Sequence, residues 1–277
     1  MTMLDLRPSP IAGAWYEEDP KSLAESVDRF LAAANMPELN GQVMGLIAPH
    51  AGHRYSGAVA AHAFATLQGM EPDLVVILSP FHNIAHHPLL TTSHAAYATP
   101  LGNIPVNSEV LMELQQKLDI PITAIARDRE HSLEIELPFL QRVLKNKFAL
   151  LPIMVRAQEE EVAQRLGAAL ASTLAGKNFI LIASTDLSHF YDQKTANALD
   201  HKMLKCFESF EPAAIFEAEQ TGKGFACGHA AVAAMLWAAK GLGATHIQTL
   251  HYATSGDVTG DHSSVVGYGA AVVLKTI

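Results

Sequence analysis

Cysteine is scarce: Cys206 and Cys227 are the only two in 277 residues. Two thiols give no disulfide framework, which fits a reducing, cytoplasmic location. Positive charge is also in the minority. Nineteen Lys and Arg against 28 Asp and Glu give a formal charge of −9, and no basic cluster interrupts that balance. Neither nucleic acid nor an anionic membrane is therefore an expected partner. No apolar run reaches the roughly 18–20 residues of a membrane span, and the opening MTMLDLRPSP lacks the apolar centre of a secretory signal. Linker-like tracts, internal repeats and low-complexity segments are missing too. What remains is a chain 49% apolar, long enough to bury a large core, and the expectation is one domain over residues 1–277.

Within that chain, strand and helix signals alternate. Asp19 before Pro20 reads as an N-cap and first helical residue, and Leu23, Val27, Phe30 and Leu31 carry a helix near 20–34. VMGLIAP (43–49) reads as a buried strand. Ser56 is placed to cap a helix bearing Val59, Ala63, Phe64 and Leu67 that stops near Gly69. Strands follow at 73–80, 148–155 and 178–185, with helices opening at Asn107 or Ser108, near 159–175, and near 192–207, 210–220 and 228–241. Strand-like runs near 246–253 and 264–274 close the order. Pro152 inside the 148–155 run predicts an edge position or a bulge. The alternation predicts a three-layer α/β/α domain with a mostly parallel or mixed sheet.

Chemistry-bearing residues gather where these runs end. APHAGHRYSG (48–57) and SPFHN (79–83) put His50 and His82 at the ends of buried strands, the edge at which open α/β sheets collect ligands. FILIASTDLSHF (179–190) ends in Asp186 and His189, and FACGHAAVAAML (225–236) puts Cys227 where a helix begins. Imidazole and thiolate together suit iron, zinc or copper, so the set predicts a mononuclear metal site. The helix dipole behind Cys227 favours its thiolate. Asp186 and His189 fit direct ligation, support of a ligand, or an acid/base pair. In DREHSLEIELPFL (128–140) the carboxylates read as an acid-rich helix start disturbed by Pro138, while His131 is within reach of the pocket. His53, His62, His86, His87 and His94 read as structural or solvated.

The runs GAWY (13–16), APHAGHRYSG, SPFHN, EHSLEIELPF (130–139), STDLSHF (184–190) and ACGH (226–229), in this order, resemble the Memo (mediator of cell motility) family. The resemblance extends from about Pro10 to the final strand. It implies a fold like that of LigB-type class III extradiol dioxygenases, which are non-haem Fe(II) enzymes. It also implies metal binding by His50, His82 and Cys227 and an acid/base role for His189. Bacterial and archaeal members are known as AmmeMemoRadiSam system protein B, which implies radical SAM and AMMECR-type partners. Animal Memo is described as a phosphotyrosine-peptide binder, with Trp15 and the pocket histidines at the equivalent positions. The sequence departs from a dioxygenase at one ligand, because Cys227 stands where the enzymes use a glutamate. The 2-His-1-carboxylate triad is not reproduced, and ordinary ring cleavage is not expected. Three function classes follow: a redox enzyme using Fe(II), or else Cu or Zn; a module binding a peptide or small molecule; and an accessory protein for a radical SAM partner.

Overall fold

In a computed structural model, which describes residues 5–126 and 128–276, strands and helices alternate much as the apolar periodicity requires. The strands are β1 (Leu6–Arg7), β2 (Gln42–Ala48), β3 (Leu74–Pro80), β4 (Leu89–Thr92), β5 (Ala96–Thr99), β6 (Gly102–Pro105), β7 (Ile122–Ile125), β8 (Ala149–Val155), β9 (Phe179–Ser184), β10 (His189–Tyr191), β11 (His246–Thr254) and β12 (Val265–Lys275). The α-helices are α1 (Pro20–Ala33), α2 (His53–Phe64), α3 (Ser108–Lys117), α4 (Leu137–Val143), α5 (Glu160–Leu174), α6 (Gln193–Glu208), α7 (Pro212–Gln220), α8 (His229–Gly241) and α9 (Ser255–Thr259).

Local chemistry sets most of these boundaries. The Asp19 carboxylate accepts the Ser22 N–H at 2.8 Å, and the Asn107 side chain accepts that of Val110 at 3.0 Å, so α1 and α3 begin at capped residues. The start of α2 differs from expectation. Gly52 is its cap residue, and the Ser56 hydroxyl, already inside the helix, donates to the Ala51 carbonyl at 2.8 Å.

Four parallel strands in the order β2-β9-β3-β8 form the centre of the main sheet. β12 lies antiparallel to β2 and pairs in turn with β10 and β11, while β4 lies antiparallel to β8 with β7 beyond it. Both faces of the sheet are covered. Along β3, Val75 and Ile77 join the core beneath α1, α2 and α4, while Val76 and Leu78 join the core beneath α3 and α5 to α8. A strand buried on both sides is apolar on both, which is why 74–78 reads as an unbroken apolar run. The result is the expected three-layer α/β/α arrangement with a mixed sheet.

Pro152 is a correction. It sits within an inner strand, paired with Ile77 of β3, and not at an edge. On the other flank β4 pairs only with Met154 and Val155, and the Thr91 hydroxyl donates to the Pro152 carbonyl at 2.7 Å. A residue's N–H and C=O face the same flank of a strand, so the missing N–H falls where that ladder has already ended. A small sheet, β1-β5-β6, sits apart from the main one.

Candidate metal centre

Because β2, β9 and β3 are parallel neighbours, their C-terminal ends share one edge. His50 lies two residues past β2, His82 two past β3, and Thr185 and Asp186 directly follow β9. His131 reaches the same edge from the segment that leads through a 3₁₀ turn, Glu134–Glu136, into α4. The ring centroids are 5.3 Å apart for His50 and His82, 5.4 Å for His50 and His131, and 4.9 Å for His82 and His131. One nitrogen from each of the three lies within 4.8 Å of the others. His50 is buried, whereas the His82 side chain is 38% exposed, so the cluster opens to solvent on one side.

The tautomers of these rings follow from what lies behind them. Ser184 Oγ donates to the Ser132 carbonyl at 2.6 Å, so it receives the proton of His50 Nδ1 at 2.8 Å. Glu130 Oε1 accepts from His82 Nδ1 at 2.9 Å and lies 3.2 Å from His131 Nδ1. It also accepts the backbone N–H groups of His131 (2.9 Å) and Ser132 (3.1 Å), while Oε2 accepts that of His82 at 2.6 Å. Protons on Nδ1 of His50 and His82 leave Nε2 as the lone-pair nitrogen in these two rings, the form a metal binds. Burial opposes the charge on Glu130, but the bonds from His82 and Ser132 outweigh it and hold its carboxyl well below the usual carboxylate range. Burial lowers the His131 pKa to about 4 and that of His50 well below the ordinary imidazole value.

The thiol of Cys227 sits 3.1 Å from His50 Nε2 and accepts the Asp186 N–H at 3.3 Å. Gly228 permits this approach: a Cβ there would press on the Ser184 carbonyl and come within 2.9 Å of Thr185 Cβ. The residue is half-buried, and burial, reinforced by the Asp186 carboxylate, pushes the thiol pKa up. This corrects the low-pKa expectation. Cys227 stands ahead of the cap residue Gly228, and desolvation outweighs the dipole of α8.

Asp186 is buried, its pKa pushed up to about 7 by desolvation, and its Oδ1 accepts the backbone N–H of His50 at 2.8 Å. Its hydrogen bond thus positions His50 rather than the imidazole of His189. His189 begins β10 and lines a cavity of about 350 Å³ with Tyr191, Glu219, Phe225, Cys227 and His229. Burial lowers its pKa. The Trp15 indole packs on His131 with centroids 4.1 Å apart.

Residues 7–272 match the family described as Memo-like protein. The chain belongs to the Memo family. It is 34% identical to a MEMO1 family protein of Nitrosopumilus maritimus, a match covering 96% of this chain and 98% of that relative. Against MEMO1 family proteins of Methanopyrus kandleri and Thermotoga neapolitana the identities are 35% and 34%, each covering 97% of this chain and 99% of the relative. A crystal structure of an uncharacterized Escherichia coli K12 protein superposes with a TM-score of 0.51 over 83% of this chain and all of that one. At 13% identity that likeness shows the fold alone. No helix among the described residues is long and apolar enough to cross a membrane.

Sequence reasoning missed the residues that hold the histidines of this Memo-family site. Glu130 reads as one more carboxylate of a helix start, although it is buried and orients His82. The buried Arg7 guanidinium donates to Asp128 (2.6 and 2.8 Å) and to the Glu130 carbonyl (2.7 Å) and pairs with Glu134, so it pins the whole 128–134 segment. A carboxylate directly preceding a histidine was a usable signal for Glu130. Nothing in spacing marks Arg7.

Proposed function

We propose that this Memo-family chain holds a single non-haem metal ion, Fe(II) in the first instance with Cu or Zn as the other candidates, at His50, His82 and Cys227, and that its role is redox. The observation that carries the reading is the acceptor behind each imidazole. Ser184 and Glu130 fix the Nδ1 protons, so the Nε2 lone pairs are left for an ion. The 3.1 Å between His50 Nε2 and Cys227 Sγ supports sulfur as a ligand. Donors at about 2.1 and 2.3 Å from one ion are about 3.1 Å apart when they subtend a right angle. His131, with a ring nitrogen within 4.8 Å of those of His50 and His82, is a further donor. A bound iron or copper ion would supply Lewis acidity and one-electron chemistry. His189, beside the cavity next to Cys227, is placed to hold a proton there.

Ordinary extradiol cleavage is not part of this reading, because a thiolate replaces the hard carboxylate and is itself open to oxidation. That vulnerability, with the exposed flank of His82, favours as a second reading a binding or accessory role toward a radical SAM or AMMECR-type partner.

The test is anaerobic titration of metal-free protein with Fe(II), Cu and Zn, together with elemental analysis of untagged protein. One ion per chain is expected, weakened at least about a hundredfold in His50→Ala and Cys227→Ala through loss of a ligand. Oxygen uptake by the loaded protein separates the redox reading from the second one. Catechol and protocatechuate should stay intact, and iron-dependent ring opening abolished by His189→Ala would overturn the reading. So would an ion bound equally well by the two alanine variants.

A further inference from the structure

The cavity of about 350 Å³ beside Cys227 takes most of its lining from His189 and Tyr191 of β10, Glu219 of α7, Phe225 and Cys227 of the turn before α8, and His229 at the start of α8. That size is in the range of small-molecule sites. Its charge and its walls narrow what can enter.

No lysine or arginine lines it, and Glu219 is its one carboxylate. Burial lowers the His189 pKa and raises that of Cys227, which keeps this imidazole and the thiol neutral. The Glu219 side chain is 21% exposed, so it is open to a ligand. Its Oε1 accepts the Ala226 N–H at 2.6 Å. His229 Nδ1 lies 3.5 Å from that oxygen, farther than the 3.2 Å to the Ala226 carbonyl. Oε2 makes no hydrogen bond among the described residues. Desolvation raises the Glu219 pKa, the mark of a carboxylate whose lost hydration is not fully replaced, and a cation from outside would offset it.

The remaining wall is aromatic. The rings of Tyr191 and Phe225 are within 12° of parallel, with centroids 6.0 Å apart, and Tyr191 is 38% exposed. Such rings take up apolar groups and attract cations at their faces. An anion would meet Glu219 with no lysine or arginine to balance it. A neutral molecule would leave the carboxylate uncompensated. A cation with an apolar body suits both the carboxylate and the rings.

We propose that this cavity binds a small organic ammonium ion with an apolar body. Its ammonium donates to Glu219, and its body rests against Tyr191 and Phe225. As the substrate class of the metal centre this rests on the function proposed above, because Cys227 lines the cavity and lies 3.1 Å from His50 Nε2. As a binding site it needs no ion.

The test therefore uses metal-free, full-length protein, titrated by calorimetry in about 0.15 M salt to screen the acidity of the chain as a whole. Phenethylamine and hexylamine are compared with the alcohols of matching shape, 2-phenylethanol and hexan-1-ol, and with phenylacetate. At least one amine should saturate at one per chain. Its alcohol should be at least about tenfold weaker, through loss of a charge-assisted hydrogen bond, and phenylacetate should not bind. Glu219→Gln keeps an acceptor for the Ala226 N–H and should weaken amine binding about tenfold. Tyr191→Leu, at an exposed position, should weaken it about threefold. Both variants should bind metal as the wild type does. Lack of saturation by both amines, equal binding of amine and alcohol, or unchanged affinity in Glu219→Gln would each overturn the proposal. Metal titrations that still succeed in those cases would leave the metal reading standing, so the two failures are told apart.

Discussion

Glu130 uses both carboxylate oxygens to hold the His82 imidazole and three backbone N–H groups, and it does so while almost fully buried. An amide in its place accepts less strongly and presents N–H groups at one end, where N–H donors already point. Glu130→Gln is expected to lower metal affinity by about 10–100-fold with circular dichroism unchanged, measured by competition with a chelator of known affinity. The thiol nearby gives a second residue-scale expectation. Since burial raises the Cys227 pKa, its alkylation by iodoacetamide in metal-free protein should still be rising above about pH 8.5, and a rate already level at neutral pH would contradict that upward shift. His50 and His82 were legible because each terminates an unbroken apolar run. Glu130 was not, because a carboxylate ahead of a helix has an adequate dull explanation and the contact from 82 to 130 leaves no trace in spacing.

Among the elements, α8 is pressed on two sides where glycine is required. Gly228 lets the turn before it approach the end of β9, and Gly167 of α5 lies where a Cβ would come within 2.7 Å of the Ala234 carbonyl of α8. Both substitutions to alanine overpack and should cost about 1–3 kcal/mol in denaturant unfolding. Only Gly228→Ala should also weaken metal binding, because it carries Cys227 away from His50. Equal metal binding by the two variants would separate the thiol from the centre. The long elements were readable from periodicity and caps, as Asp19 and Asn107 illustrate. β4 to β7 and β10 were not, since strands of three or four residues owe their form to the neighbours they pair with. Pro152 misled for the same reason: a proline reports only the absence of one hydrogen bond, and which flank lacks a partner is decided by β4.

For the molecule as a whole, buried carboxyls set how stability responds to pH. Glu136 is buried, its Oε1 has no partner among the described residues, and desolvation raises its pKa well above the ordinary value. The fold therefore holds the neutral acid. That contribution is complete below the unfolded pKa of about 4.3 and is lost as pH rises through the folded value. Glu136→Gln, neutral at every pH, should raise the thermal midpoint relative to wild type on going from about pH 5 to pH 9, by about 2–4 °C for each kcal/mol of relief. A difference that is constant or shrinks toward alkaline pH would contradict the assignment. The order of the central strands carries a further consequence, in time rather than space. β9 lies between β2 and β3, which holds them two ladder spacings, about 9.5 Å, apart, yet it follows β3 in the chain by roughly a hundred residues. During synthesis both histidine-bearing strands leave the ribosome long before the strand that spaces them, and Cys227 emerges later still. A preorganised centre is thus among the last features to form, so an ion held there would be received by a finished protein rather than guide its folding.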